Sequence, residues 1–298
     1  MVSLSILIPT YNWDCELLVN SLQSQCSSLG IEYEIIVADD CSPDRFKADA
    51  CKNAVDKLTS CSFIQLEKNI GRAAIRNLLA NKSQYQKLLF LDCDAAVEND
   101  KFIKRYIDKA EQYSVVCGGL RHPESQPYPC VELRYKYEKR ADKKRLAEIR
   151  NKEPYSQFTP FSFLIDRDIF MQIRFCENFV GYGYEDVLFG LKLKEKNVSI
   201  IHIDNPLIHI GIEENSIFLE KTRQSIHNLY NHKEDINNGS TLLKQYRRIK
   251  KWHLDWTITV VDKIFGKLII KNLQGHHPNL TLFSFYKLSI IHFLHKNQ

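Results

Sequence analysis

The chain has 298 residues, 44% apolar and 26% charged, which allows one large domain, or a domain with an appendage, around a substantial core and excludes wholesale disorder. The net charge of +5 is uneven: residues 240–298 hold ten Lys/Arg against two Asp/Glu, a local balance of +8, so the rest sums to −3 and gives no reason to expect nucleic acid as a partner. Nine cysteines without a C-x-x-C pair argue against a zinc site and read as reduced thiols of a cytoplasmic protein.

Residues 2–8 are a short apolar run that ends at Pro9, Thr10, Tyr11 and Asn12, a strand entering a loop. In residues 14–29, Leu17, Leu18, Leu22 and Cys26 share one helical face. A second strand, 33–38, ends in Asp39, Asp40, Cys41, Ser42, Pro43 and Asp44; Ser42 suits the cap, and Pro43 the first turn, of a helix reaching about residue 58. Residues 62–66 are a third strand, and Asn69, Ile70, Gly71 and Arg72 open a helix carrying Ala73, Ala74, Leu78 and Leu79. The stretch KLLFLDCDAAV, 87–97, reads as a buried strand that emerges at Asp92 and Asp94. Side chains two apart on an extended segment point to the same side, so these carboxylates converge on a hard divalent cation, Mg²⁺ or Mn²⁺, or else are plain turn chemistry. Phe102, Ile103, Tyr106, Ile107 and Ala110 stripe a helix at 101–112, and 114–119 is a fifth strand.

Such alternation predicts an α/β, doubly wound parallel sheet, in which ligands bind outside the carboxyl ends of the strands. The polar ends at 9–12, 39–44 and 92–94 then face one crevice. Beyond Arg121 the pattern breaks. Residues 133–152 hold nine basic against three acidic residues and read as a solvated helix or loop. An aromatic run at 158–165 reads as a strand, and 179–194, FVGYGYEDVLFGLKLK, as a glycine-rich loop running into a helix whose N-terminus carries Glu185 and Asp186. Residues 198–203 are another strand, with His202 a structural histidine, and 237–240 read as a linker. In the tail Trp256, Val260, Ile264 and Leu268 recur every four residues beside a stripe of Lys263, Lys267 and Lys271, with Gly275 as a stop. This amphipathic helix either packs on the body or lies on an anionic membrane surface. No window of about 18 uninterrupted apolar residues predicts a membrane span, and no signal peptide is expected.

The segments SILIPTYN, ADDCSPD, NIGRAAIRN, FLDCDA and GYGYEDVLFGLKL, in this order, resemble the family 2 glycosyltransferases over residues 2–232. The resemblance implies a GT-A type fold, a doubly wound, mostly parallel, Rossmann-like sheet, with a helical, basic C-terminal extension. Residues 1–236 would be the glycosyltransferase domain, 1–120 its nucleotide-binding and 121–236 its acceptor-binding half, and 237–298 the C-terminal region. It implies an inverting, metal-dependent hexosyltransferase that moves a sugar from a UDP-sugar donor to a glycan or lipid-linked glycan acceptor, using Mn²⁺ or Mg²⁺. A non-catalytic nucleotide-sugar-binding protein of the same fold is the alternative. By similarity Pro9, Thr10 and Tyr11 line the nucleoside pocket, Asp39 accepts a hydrogen bond from the base and Asp40 supports that loop. Asn69, Arg72 and Arg76 lie against the nucleotide, with Cys93 beside it. Asp92 touches ribose or metal, Asp94 binds the metal, and His209 completes its shell. Asp186 is the catalytic base, with Glu185 beside it in the acceptor area. Cys41 and the run Thr159, Pro160, Phe161 depart from the pattern, the second leaving the acceptor open. Each residue also has a plainer reading: Tyr11 packing on the first helix, Asp39 and Asp40 as caps, Arg76 in a loop-holding ion pair, Glu185 and Asp186 as dipole partners, His209 in a core. The implied location is cytoplasmic, or peripheral at the inner face of the membrane through 240–298.

Overall fold

A computed structural model describes residues 2–296. In chain order its strands are β1 (Leu4–Thr10), β2 (Tyr33–Asp39), β3 (Cys61–Gln65), β4 (Lys87–Leu91), β5 (Ala95–Ala96), β6 (Val115–Cys117), β7 (Leu120–Arg121), β8 (Ser162–Asp166), β9 (Ile200–His202) and β10 (Leu207–His209). The helices are α1 (Glu16–Leu29), α2 (Arg45–Val55), α3 (Arg72–Lys82), α4 (Phe102–Ala110), α5 (Glu132–Asp142), α6 (Ala147–Arg150), α7 (Arg167–Ile173), α8 (Glu185–Glu195), α9 (Asn215–Asn231), α10 (Lys233–Ile236), α11 (Thr241–Lys251), α12 (Asp255–Gln274) and α13 (Leu280–Lys296). They form two compact units.

The first unit, residues 1–121, 144–178 and 189–211, holds a seven-stranded sheet of order β3-β2-β1-β4-β8-β6-β9. Pairing is parallel throughout except at β8, which runs antiparallel to both β4 and β6. The central strands are apolar on both faces, as a sheet covered on both sides requires. On β4, Leu89 and Leu91 join one core with Leu18, Leu22, Val55, Phe102 and Tyr106, from α1, α2 and α4. Leu88 and Phe90 join the opposite core with Leu79, Phe170, Phe189 and Leu193, from α3, α7 and α8. Phe163 on β8 stacks on Phe90 with ring centroids 4.9 Å apart, which gives the antiparallel strand its place in the second core. The chain leaves β1 for β2 on one side, while β4 pairs with β1 on the other, so the strand order reverses at β1. That is where an open α/β sheet leaves a crevice at its carboxyl edge.

A second sheet, β5-β10-β7, is small and decides where the site lies. β10 is antiparallel to β5, pairing His209 with Ala95, and the Ile210 amide donates to the Asp94 carbonyl at 2.9 Å.

The second unit, residues 122–143, 179–188 and 212–296, is helical apart from its connecting loops. Leu133, Phe218, Leu219, Ile269, Leu273, Phe283 and Tyr286 build its core from α5, α9, α12 and α13. Asn215, buried at the start of α9, accepts from the Leu133 amide at 2.8 Å and donates to Glu132 and to the Gly275 carbonyl, both at 3.2 Å. The first turn of α5 is thus buried rather than solvated as expected; Glu132 is hydrogen-bonded by Asn215 and faces His276, and Arg134 pairs with Glu213. Residues 237–240 are no linker either: a 3₁₀ turn, Asn237–Gly239, leads to buried Ser240, whose hydroxyl caps α11 by accepting from the Leu243 amide at 3.4 Å. α2 is capped by Asp44, which accepts from the Lys47 amide at 3.3 Å, and not by Ser42, whose hydroxyl goes to Asp39.

Candidate active site

The loop after β1 is held by side chains. Thr10 is buried and its hydroxyl donates to the Trp13 carbonyl at 3.0 Å. Asn12, at φ 53°, ties this loop to the one after β2: its amide donates to Ser42 Oγ at 2.7 Å and its Oδ1 accepts from the Asp44 amide at 3.1 Å. Pro9 is half-buried and Tyr11 is 50% exposed.

Asp39 and Asp40, adjacent in sequence, do different work. Asp39 is 0% exposed, its Oδ2 accepting from the Ser42 amide at 3.0 Å and its Oδ1 from the Ser42 hydroxyl. Asp40 accepts from the Ile70 amide at 2.7 Å and the Gly71 amide at 3.0 Å, and the Asn69 side chain donates to its carbonyl at 3.0 Å. Burial pushes the Asp40 carboxyl up, and the two amides pull it back. The Asn69 loop and the start of α3 are therefore fastened to the end of β2.

Across the crevice, Arg76 Nη2 reaches Asp92 Oδ1 at 2.5 Å and Arg72 Nη2 lies 3.5 Å from Asp92 Oδ2. The Arg76 side chain is 2% exposed, stacks toward Phe175 and also donates to the Arg72 carbonyl at 3.0 Å. It is given over to Asp92, the ion-pair reading, whereas the Arg72 side chain is 38% exposed. Asp92 is thus neutralised from the α3 side. Cys93, between the carboxylates, is pushed up to about 12 by burial and stays a neutral thiol, with Thr10 beside it.

Asp94 meets a residue far away in sequence. His209 Nε2 lies 3.1 Å from Asp94 Oδ2, the imidazole buried and set edge-on to Phe161 at 5.4 Å. The β5–β10 pairing produces this contact. Gly211 has no side chain to intrude: a Cβ there would come 2.4 Å from Asp94 Oδ2. A hard carboxylate oxygen and an imidazole nitrogen side by side are donors that suit Mn²⁺ or Mg²⁺ better than a soft thiophilic ion.

Glu185 and Asp186 open α8 in the second unit. Glu185 is buried and Asp186 half-buried, with the Val187 amide donating to Asp186 Oδ1 at 2.8 Å. The loop before them is wound tightly, with Gly181, Gly183 and Tyr184 at φ 78°, 97° and 70°. Asn228 of α9, not singled out by the sequence, donates to the Tyr182 and Gly183 carbonyls at 3.3 Å each. A Cβ on Gly183 would come 2.6 Å from that of Ser225. Tyr184 is hydrogen-bonded to Ser240 and pushed up to about 12 by burial. Gly211 and Asn228 escape sequence reasoning because each acts on a partner placed by tertiary structure, and Ser42, read as a helix cap, instead holds Asp39. Only Gly211 leaves a trace, lying two residues after His209.

Fold and site together define a GT-A α/β protein: a mostly parallel sheet with acidic strand ends at its order reversal, followed by helices. Residues 5–174 match the description "Glycosyl transferase family 2", and the chain belongs to that family. It is 26% identical over 242 residues to an uncharacterized glycosyltransferase of Haemophilus influenzae, covering 79% of this chain and 90% of that one. It is 32% identical to the undecaprenyl-phosphate 4-deoxy-4-formamido-L-arabinose transferase of Pseudomonas paraeruginosa over 39% of this chain and 35% of that enzyme, so it spans about a third of that relative. Among solved structures, the mannosyltransferase PcManGT of Pyrobaculum calidifontis, in complex with GDP-Man and Mn²⁺, superposes with a TM-score of 0.60 at 12% identity, covering 99% of this chain and 86% of that one. S. aureus TarS 1–349 in complex with UDP-GlcNAc does so with a TM-score of 0.52 at 19% identity, covering 100% and 93%.

Proposed function

We propose that this glycosyltransferase inverts the anomeric centre of a UDP-sugar, with a divalent cation at Asp94 and His209, and transfers the sugar to a lipid-linked glycan. The observation that carries the reading is the pairing of Asp94 with His209, with Gly211 packed close against Asp94, beside an Asp92 already neutralised by arginine. Of the four carboxylates at the strand ends, Asp39, Asp40, Asp92 and Asp94, it is Asp94 that is set against an imidazole nitrogen. When bound, the cation offsets the charge that develops on the departing diphosphate. Arg72 meets the diphosphate from the other side, and Arg76 acts through Asp92, holding it in place.

Tyr11 offers its ring to the base. Asp39 takes the imide N–H once the Ser42 hydroxyl turns away, since an ionised carboxylate only accepts. Pro9, Thr10, Asn69 and Cys93 shape the pocket. Asp186, presented at a helix start, takes the proton of the acceptor hydroxyl as it attacks. Buried Glu185 supports that turn. The lipid-linked acceptor is suggested by the undecaprenyl-phosphate transferase relative.

The test is nucleotide release from UDP- and GDP-sugars, with polyprenyl-linked acceptors, with Mn²⁺ or with chelator. Asp94→Ala is expected to abolish turnover and weaken donor binding. Asp186→Asn is expected to bind donor as before and to lose turnover by roughly a thousand-fold. An Asp186→Asn variant that turns over like the native protein ends the base assignment, and full activity in chelator ends the cation's role.

A further inference from the structure

The helix α12 turns two faces to different surroundings. Ile258 is buried, and Ile269 and Leu273 join the core of the second unit. Trp256, Ile264 and Leu268, four residues apart or a multiple of it, stand 62%, 62% and 63% exposed, with Val260 between them also exposed. Trp252 and Leu254, in the turn before the helix, continue the exposed apolar row. Large side chains laid open along four turns of one helix are not scattered surface residues; a contiguous patch of this kind marks a surface that meets something apolar.

The charges beside it identify what that is. Lys263, Lys267 and Lys271 form an exposed row running alongside the apolar one, and Arg247, Arg248, Lys250 and Lys251 stand exposed at the end of α11 just before it. The acidic residues of α12, Asp255 and Asp262, are both drawn partly inside. A protein partner would present discrete pockets for the indoles. An apolar interior under a uniformly anionic plane instead takes a row of Trp, Ile and Leu flanked by a row of lysines with long stems. No described helix is long and apolar enough to cross a membrane, so contact is along a surface.

We infer that α12 docks the protein on the anionic surface of a lipid bilayer, with Trp256, Val260, Ile264 and Leu268 entering the acyl boundary and Lys263, Lys267 and Lys271 among the headgroups. The docking stands apart from the transfer chemistry and is tested without it. The full chain is incubated with phosphatidylcholine vesicles with and without phosphatidylglycerol, then sedimented, and tryptophan emission is followed with brominated lipid as quencher. Binding is expected only with phosphatidylglycerol, with a blue shift and quenching. Ile264→Glu with Leu268→Glu is expected to lower the partition coefficient roughly tenfold or more, with an unchanged melting curve because both sites are exposed. Lys263→Glu with Lys267→Glu and Lys271→Glu is expected to abolish the preference for anionic lipid. Equal binding to neutral vesicles, native-like binding by the Ile264/Leu268 variant, or a dimer formed through this face without vesicle binding overturns the inference.

Discussion

His202 shows what a buried charge network costs this protein. Arg150 is 3% exposed, and its guanidinium donates to the Gly118 and Ile203 carbonyls at 3.1 and 2.8 Å and to His202 Nδ1 at 2.7 Å. His202 Nε2 therefore keeps its hydrogen and gives it to the Pro154 carbonyl at 2.8 Å. Burial, with the neighbouring guanidinium adding to it, pushes His202 from 6.5 down to about 4. A depressed histidine leaves stability unaffected above its unfolded value and costs stability as pH falls through the window from 6.5 to 4, because the unfolded chain takes the proton first. The full gap is worth roughly 3 kcal/mol. Equilibrium urea unfolding at pH 7.5 and pH 4.5 is expected to show this loss, and His202→Asn to flatten that part of the profile; an unchanged slope in the variant removes His202 as the cause. Asp92 and Asp94 were legible as a pair from their spacing, and His202 as structural from its strand neighbours. Arg150, the partner of His202, was not, since it lies in a basic run that reads as solvent-facing; His209 was joined to Asp94 only through the resemblance, because nothing local tells a carboxylate bound for arginine from one bound for histidine.

Among the elements, those with strict periodicity were readable and those defined by a partner were not. β1, β2, β4 and the helices between them follow from alternating apolar runs and acidic ends. The two-residue strands β5 and β7 carry no pattern of their own, yet β5 is what brings β10 and His209 to Asp94. β8 was readable as a strand but not as an antiparallel one, since a strand buried on both faces looks the same in either direction. The loop at 181–184 was marked by its glycines, but its anchor on α9 was invisible. That anchor can be tested. Asn228 is buried and gives its amide hydrogens to the carbonyls just before the turn that presents Asp186. Asn228→Ala strands those carbonyls at a cost of about 1–3 kcal/mol. If Asn228 positions Asp186, kcat falls roughly ten- to hundred-fold while donor affinity, read by thermal shift, stays put. A fall in both, or in melting temperature alone, would make Asn228 a purely structural residue. Gly183→Ala is expected to be worse, combining a left-handed backbone with the approach of Ser225.

For the molecule as a whole, acidic strand ends and a basic tail divide the charge: −3 over residues 1–239 against +8 over 240–298. Residues 1–239, which hold every residue proposed for the donor site, are therefore net negative before a dianionic nucleotide arrives, and Arg72, proposed to meet it, already faces Asp92. Donor alone should bind weakly, and donor with a divalent cation far more tightly, because the cation cancels charge on both sides of the contact. Anything that binds the folded chain and not the unfolded one stabilises it, by about 2.7 kcal/mol at a hundred-fold excess over its Kd. For a chain of this size that is a rise in Tm of about 4–5 °C. The expected pattern is little shift with UDP or Mn²⁺ alone, a clear shift with both, and none with both plus EDTA. Asp94→Ala and His209→Ala should each erase the joint shift, measured against the variant's own unliganded Tm. A joint shift of native size in Asp94→Ala would place the cation elsewhere, and a full shift with UDP alone would mean that Arg72 suffices to hold the diphosphate.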